Sequence, residues 1–152
     1  EKEALQMAVE RNRSGLVQQL SAAISQMDHA IEIGDRLRYS TADSAFHRVI
    51  LQIAGNRYLE KAYDLTATAL AALRARLQSG EGDYWHRSYA EHTRMRDLID
   101  QGEFDAAHAL LQEHILIINR SLALPDTNTQ VRQKAQLRSD QECQELLLQS
   151  QG

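Results

Sequence analysis

Between Leu5 and Leu122, apolar residues recur mostly at steps of three, four or seven, and the single proline, Pro125, falls only after that pattern has ended. Such spacing gathers side chains on one face of a 3.6-residue helix, where a strand would need alternation. The intervening residues are rich in Ala, Leu, Gln, Glu and Arg, all good helix formers, and Gly occurs only seven times in 152 residues. The chain is expected to be all-α. Its length suits one domain with a substantial core and is short for two. The expected division is a helical domain over residues 1–124 and, over 125–152, a polar tail or loosely packed C-terminal helix.

Other bulk properties restrict function. A formal net charge of -4 gives no electrostatic reason for nucleic acid to bind this chain, because phosphate contacts need clustered Lys and Arg. The one cysteine, Cys143, excludes an internal disulfide and suits a reducing compartment, so the chain is expected to be cytoplasmic. There is neither an apolar run of about 18 residues nor an apolar opening segment, so neither membrane span nor export is expected. The chain opens on Glu1 rather than Met, as a fragment or processed chain would.

Five helices are expected in order. The first runs from Glu3 to about Ile33, with residues 11–15 (Arg-Asn-Arg-Ser-Gly) the place for a break, and Gly34 and Asp35 end it. The second begins at Ser40 or Thr41 as cap, carries Asp43, Phe46, His47, Ile50 and Leu51, and closes on Gly55. Asn56 caps a third, whose stripe of Leu59, Tyr63, Thr66, Leu70, Leu73 and Leu77 faces inward. The Tyr63 and Thr66 hydroxyls on that stripe either bond backbone or line a pocket. Residues 79–83 read as a loop. A fourth helix spans Tyr84 to Gln101, Gly102 turns the chain, and a fifth spans Phe104 to Leu122.

Four side chains in this frame belong together. Asp43 and His47 are four apart on a helix, leaving the same face about 6 Å from each other at Cβ. The tight turn at Gly102 makes helices four and five an antiparallel hairpin. His92 lies eleven residues before Glu103 and His114 eleven after it, which sets the two level across the hairpin. Each has apolar neighbours on its face: Trp85, Tyr89, Met95 and Ile99 for His92, and Ala107, Leu110, Leu111, Ile117 and Ile118 for His114. Buried imidazoles need partners for their ring nitrogens, and a buried carboxylate costs several kcal/mol unless paired or metal-bound. Asp43, His47, His92 and His114 converging in a bundle can meet these needs together by holding a divalent cation, with Zn²⁺ or Ni²⁺ suited to imidazole. His86 and His108 each precede a ligand histidine by six residues, about 240° round the helix, and His29 is near a helix end; all three are expected to be solvated.

The same residues carry a family resemblance. Asp43, Phe46 and His47, then Ala54-Gly55-Asn56 followed by Leu59, then Glu91-His92 with Asp97-Leu98-Ile99, then Gly102, Ala106, Ala107 and His114 resemble the FCD domain, the C-terminal effector-binding domain of FadR-subfamily GntR transcription regulators. The resemblance covers residues 1 to 122. It implies an antiparallel bundle of about five to seven helices with a central metal and ligand cavity. It also implies a zinc, nickel or similar ion at Asp43, His47, His92 and His114, and a small carboxylate or organic-acid effector that reaches the metal. A homodimer, and DNA contact only through an N-terminal winged-helix domain that this chain lacks, complete the implication. Family members often open their first helix with an Arg-x-x-(Leu)-Glu run, of which Glu1 would be the end. Arg74, on the border of the inward stripe four residues after Leu70, is then the effector-binding candidate, with a solvated arginine as its alternative.

The expected role is a ligand-sensing regulatory domain and not an enzyme. A metal-dependent hydrolase on a helical bundle would need a general base beside the metal. Glu91 and Glu113 directly precede ligand histidines, but adjacent helical residues diverge by about 100° and point away. A helical interaction module with structural histidines is the remaining alternative, and it predicts no stabilisation by metal.

Overall fold

The computed structural model describes residues 1–79 and 84–122, with side chains described through residue 73 and from 84 to 116. Over these residues it is all-helical, with no strand: α1 (Lys2–Glu32), α2 (Arg36–Ala54), α3 (Arg57–Ser79), α4 (Tyr84–Gln101) and α5 (Phe104–Leu122). The expected loop at 80–83, Pro125 and the tail at 125–152 lie outside the described residues.

The break expected within residues 11–15 falls at Asn12, whose backbone is extended (φ -159°, ψ 74°) inside an otherwise continuous α1. Asn12 restarts the helix as a cap, its Oδ1 accepting from the Gly15 N–H at 3.0 Å. The extended residue also sends its two arginine neighbours to different helix ends. Arg11 Nη1 donates to the Ala54 carbonyl at the end of α2 (3.4 Å). Arg13 donates through Nε to the Ile99 carbonyl (2.9 Å) and through Nη2 to the Asp100 carbonyl at the end of α4. Both guanidiniums sit where unsatisfied carbonyls and the helix dipole favour positive charge.

α1 ends in a Schellman motif: the Gly34 N–H bonds the Ile31 carbonyl, the Asp35 N–H bonds the Ala30 carbonyl, and Gly34 is left-handed. The next helix starts sooner than the sequence suggested. Asp35 itself is the cap of α2, accepting from the Arg38 N–H at 3.0 Å, so α2 opens at Arg36 rather than at Ser40 or Thr41. Ser40 is buried within the helix, and the Thr41 hydroxyl donates to the Leu37 carbonyl one turn back. The other end of α2 is as expected: Gly55 is left-handed (φ 64°), and Asn56 Oδ1 accepts from the Tyr58 and Leu59 N–H groups to start α3.

α1 packs on α2 and on α4, and α2 on α3. One apolar core results, with Leu5, Leu16, Leu20 and Met27 from α1, Phe46, Ile50 and Leu51 from α2, Met95 and Ile99 from α4, and Leu111 from α5. α3 contributes Tyr63, which is buried, whereas Thr66 on the same expected stripe is exposed and its hydroxyl donates to the Tyr63 carbonyl. Of the two readings of that hydroxyl, the backbone bond holds and the inward direction does not.

Candidate metal centre

α2 brings Asp43 and His47 to the core from successive turns, α4 brings His92 and α5 brings His114. All four are buried, none more than 2 % exposed. One ligand atom from each lies within 4.8 Å of every other. His92 and His114 meet across the hairpin with ring centroids 4.5 Å apart, as their equal distance from the turn requires. The His47 ring lies 5.2 Å from that of His92 and 5.4 Å from that of His114. Phe46 walls the cluster, its ring 4.3 Å from His92.

The facing atoms are donors of the right kind. His47 Nε2 and His92 Nε2 stand 3.3 Å apart. Two nitrogens bound at 2.0–2.1 Å in a tetrahedral arrangement would be separated by about 3.3 Å. His92 Nε2 is 3.8 Å from Asp43 Oδ1, which also receives the Ser88 hydroxyl at 3.4 Å. His114 Nε2 is buried and makes no hydrogen bond among the described residues. A buried ring nitrogen in that condition is uncommon and calls for an explanation. Three imidazole nitrogens and one carboxylate oxygen converging around it form a donor set suited to Zn²⁺ or a similar divalent ion.

Two further carboxylates stand behind the cluster. Glu1 Oε2 accepts from His47 Nδ1 at 2.5 Å, and Glu91 Oε2 accepts from His114 Nδ1 at 2.6 Å. Sequence reasoning missed both roles. Glu91 does point away from the side of His92, as the 100° rule says, but that direction carries it onto the ring of His114 in the neighbouring helix. The hairpin geometry that paired His92 with His114 would have found it, since Glu91 is one residue short of level with His114. For Glu1 the pattern along the chain holds no such signal.

Around the site, Tyr39 is fully buried and its hydroxyl donates to the Trp85 carbonyl at 2.9 Å. Burial pushes its phenol well above the ordinary range, with the Ser88 hydrogen bond acting in the opposite sense. Of the histidines set aside on helical phase, His29 and His86 are exposed and His108 is half-buried. The Arg74 side chain lies outside the described residues.

A family model for the FCD domain matches residues 1–116. The chain belongs to the FCD-domain family. This is the regulatory, effector-binding domain of GntR-family transcription regulators, which are not enzymes. No curated protein and no solved structure matches the chain. No helix among the described residues is long and apolar enough to cross a membrane.

Proposed function

We propose that this FCD domain is a metal-dependent sensor of small organic acids, in the manner of the FadR subfamily. Asp43, His47, His92 and His114 would hold a divalent cation, zinc or nickel by donor type. The observation that carries this reading is the convergence of four buried donors within 4.8 Å, His114 Nε2 among them with no hydrogen bond. Bound there, the cation supplies a Lewis-acidic anchor for an effector carboxylate. The chain's own residues supply the rest: four ligands from three helices, an apolar wall at Phe46, and exclusion of water by burial. Arg74 is the proposed second contact to the effector.

A site made from α2, α4 and α5 lets a bound anion favour one packing of those helices over another, and only such a difference in affinity shifts an equilibrium. Its output would be the geometry of a cytoplasmic homodimer whose DNA contacts are made by an N-terminal winged-helix domain outside these 152 residues. That part rests on the family and not on the site.

The test is a thermal-melt screen of hydroxy acids, sugar acids and dicarboxylates on zinc- and nickel-loaded protein, repeated on chelated protein. The proposal expects a subset of acids to raise the melting temperature of the loaded form only. Stabilisation that survives chelation would refute the metal anchor, and hydrolysis of an ester or phosphate by the loaded form would favour an enzyme instead.

A further inference from the structure

We propose that Glu1 and Glu91 are positioning residues of the cation site, presetting His47 and His114 in the one tautomer that can accept a cation. The proposal rests on the metal reading above.

A neutral imidazole carries one N–H and one lone pair, and only the nitrogen with the lone pair can bind a metal. Which nitrogen that is depends on what the other one meets. A carboxylate accepts and cannot donate, so the contacts from Glu1 and Glu91 put the proton of each ring on Nδ1. Nε2 then keeps its lone pair. In His47 that atom faces His92 Nε2 at 3.3 Å, and in His114 it is the buried nitrogen with no hydrogen bond among the described residues. Both lone pairs are thereby turned to the centre of the cluster.

Two details distinguish these carboxylates from incidental neighbours. The Glu1 side chain is 8 % exposed and reaches His47 on another helix. Glu91 is 20 % exposed, and Arg87 stands beside its other oxygen at 3.9 Å, supporting a carboxylate that would otherwise lose hydration without return. Each pair also crosses a helix boundary: Glu1 lies at the head of α1 and His47 on α2, Glu91 on α4 and His114 on α5. The ligand set is thus braced from α1, which contributes no ligand of its own. Outer partners of this kind typically change metal affinity 10- to 100-fold when removed.

The experiment uses the whole 152-residue chain with ¹⁵N-labelled histidine, stripped of metal, in two-bond ¹H–¹⁵N correlation spectra. His47 and His114 are assigned from H47Q and H114Q spectra. Both rings are expected as the Nδ1–H tautomer before any metal is added. Glu91→Gln, whose amide can donate to Nδ1, should move His114 toward the Nε2–H form and leave His47 unchanged; Glu1→Gln should do the reverse. Each variant should lose about 10- to 100-fold in Zn²⁺ affinity, measured by competition with a chelator. Glu113→Gln, on an exposed neighbour of His114, should lose nothing. The Nε2–H tautomer at both rings of the wild-type chain would overturn the proposal even if no variant folds, and so would Gln variants that bind Zn²⁺ as tightly as wild type. Wild-type protein that binds neither Zn²⁺ nor Ni²⁺ would defeat the metal reading separately, while the metal-free spectra would still decide the tautomers.

Discussion

Replacing Gly55 by alanine probes how the helix that carries Asp43 and His47 is closed. Gly55 is left-handed at φ 64°, and a Cβ built there would stand 1.7 Å from Arg11 Nη1 and 2.5 Å from Arg11 Cζ. A non-glycine residue in that conformation costs about 1–2 kcal/mol. The guanidinium must also leave, and with it goes the Arg11 bond to the Ala54 carbonyl, which contributes about 1 kcal/mol at this length and exposure. Gly34 supplies the control, because it has nearly the same backbone (φ 68°) and nothing within 4 Å of an added Cβ. Gly34→Ala should therefore lose about 1–2 kcal/mol and Gly55→Ala about 2–3 kcal/mol. For a domain of this size 1 kcal/mol lowers the melting temperature by about 4 °C. Urea titration of the two variants, and of Gly55→Ala combined with Arg11→Ala, measures the difference. The combined variant should be little worse than Gly55→Ala alone, since the two changes remove the same contact. Equal losses at Gly34 and Gly55 would show that Arg11 does not cover the end of α2.

The remaining predictions concern the packing around the site. Phe46→Ala should cost about 3–5 kcal/mol by denaturant titration, since it empties a fully buried ring position against His92; a loss below about 1 kcal/mol would mean that the ring is not part of the core. Arg13→Ala should lower stability by about 1–2 kcal/mol through the carbonyls it leaves at the end of α4, whereas Arg13→Lys, which cannot fork between two carbonyls, should recover only part of that loss. Tyr39 should stay un-ionised in an absorbance titration well past the pH at which exposed tyrosines ionise, because burial raises its folded-state value above the ordinary 10.0. Its contribution to stability is complete below about pH 10 and declines above it, where the unfolded chain releases the phenol proton and the folded chain keeps it. A Tyr39→Phe protein whose stability falls as steeply with alkaline pH as wild type would contradict this.

Much of the fold and half of the site's logic were legible in the sequence because they depend on local rules. The 3.6-residue period placed α3, α4 and α5, Gly55 and Asn56 marked a helix end and the next start, and equal distance from Glu103 set His92 level with His114. The start of α2 was misplaced because three good caps stand within seven residues, and propensity cannot choose among Asp35, Ser40 and Thr41. Tertiary packing chooses, by burying Ser40 inside the helix. Thr66 was placed inward because it continues a regular stripe, but α3 buries only part of that stripe. The carboxylates behind His47 and His114 were hidden for a different reason: Glu1 and Glu91 reach across to neighbouring helices, and a single helix's periodicity cannot show what its other faces meet.

The most direct test of the central claim is a metal analysis of the purified chain joined to melts before and after chelation. A cation held only by the folded state adds about 2.7 kcal/mol when its free concentration is 100 times Kd, or about 10 °C at the conversion used above. The account predicts one zinc or nickel per chain, a fall of about that size on chelation, recovery on adding the metal back, and loss of the whole response in His114→Ala. A chain that stays metal-free in the presence of both ions and melts at the same temperature with and without chelator would contradict it.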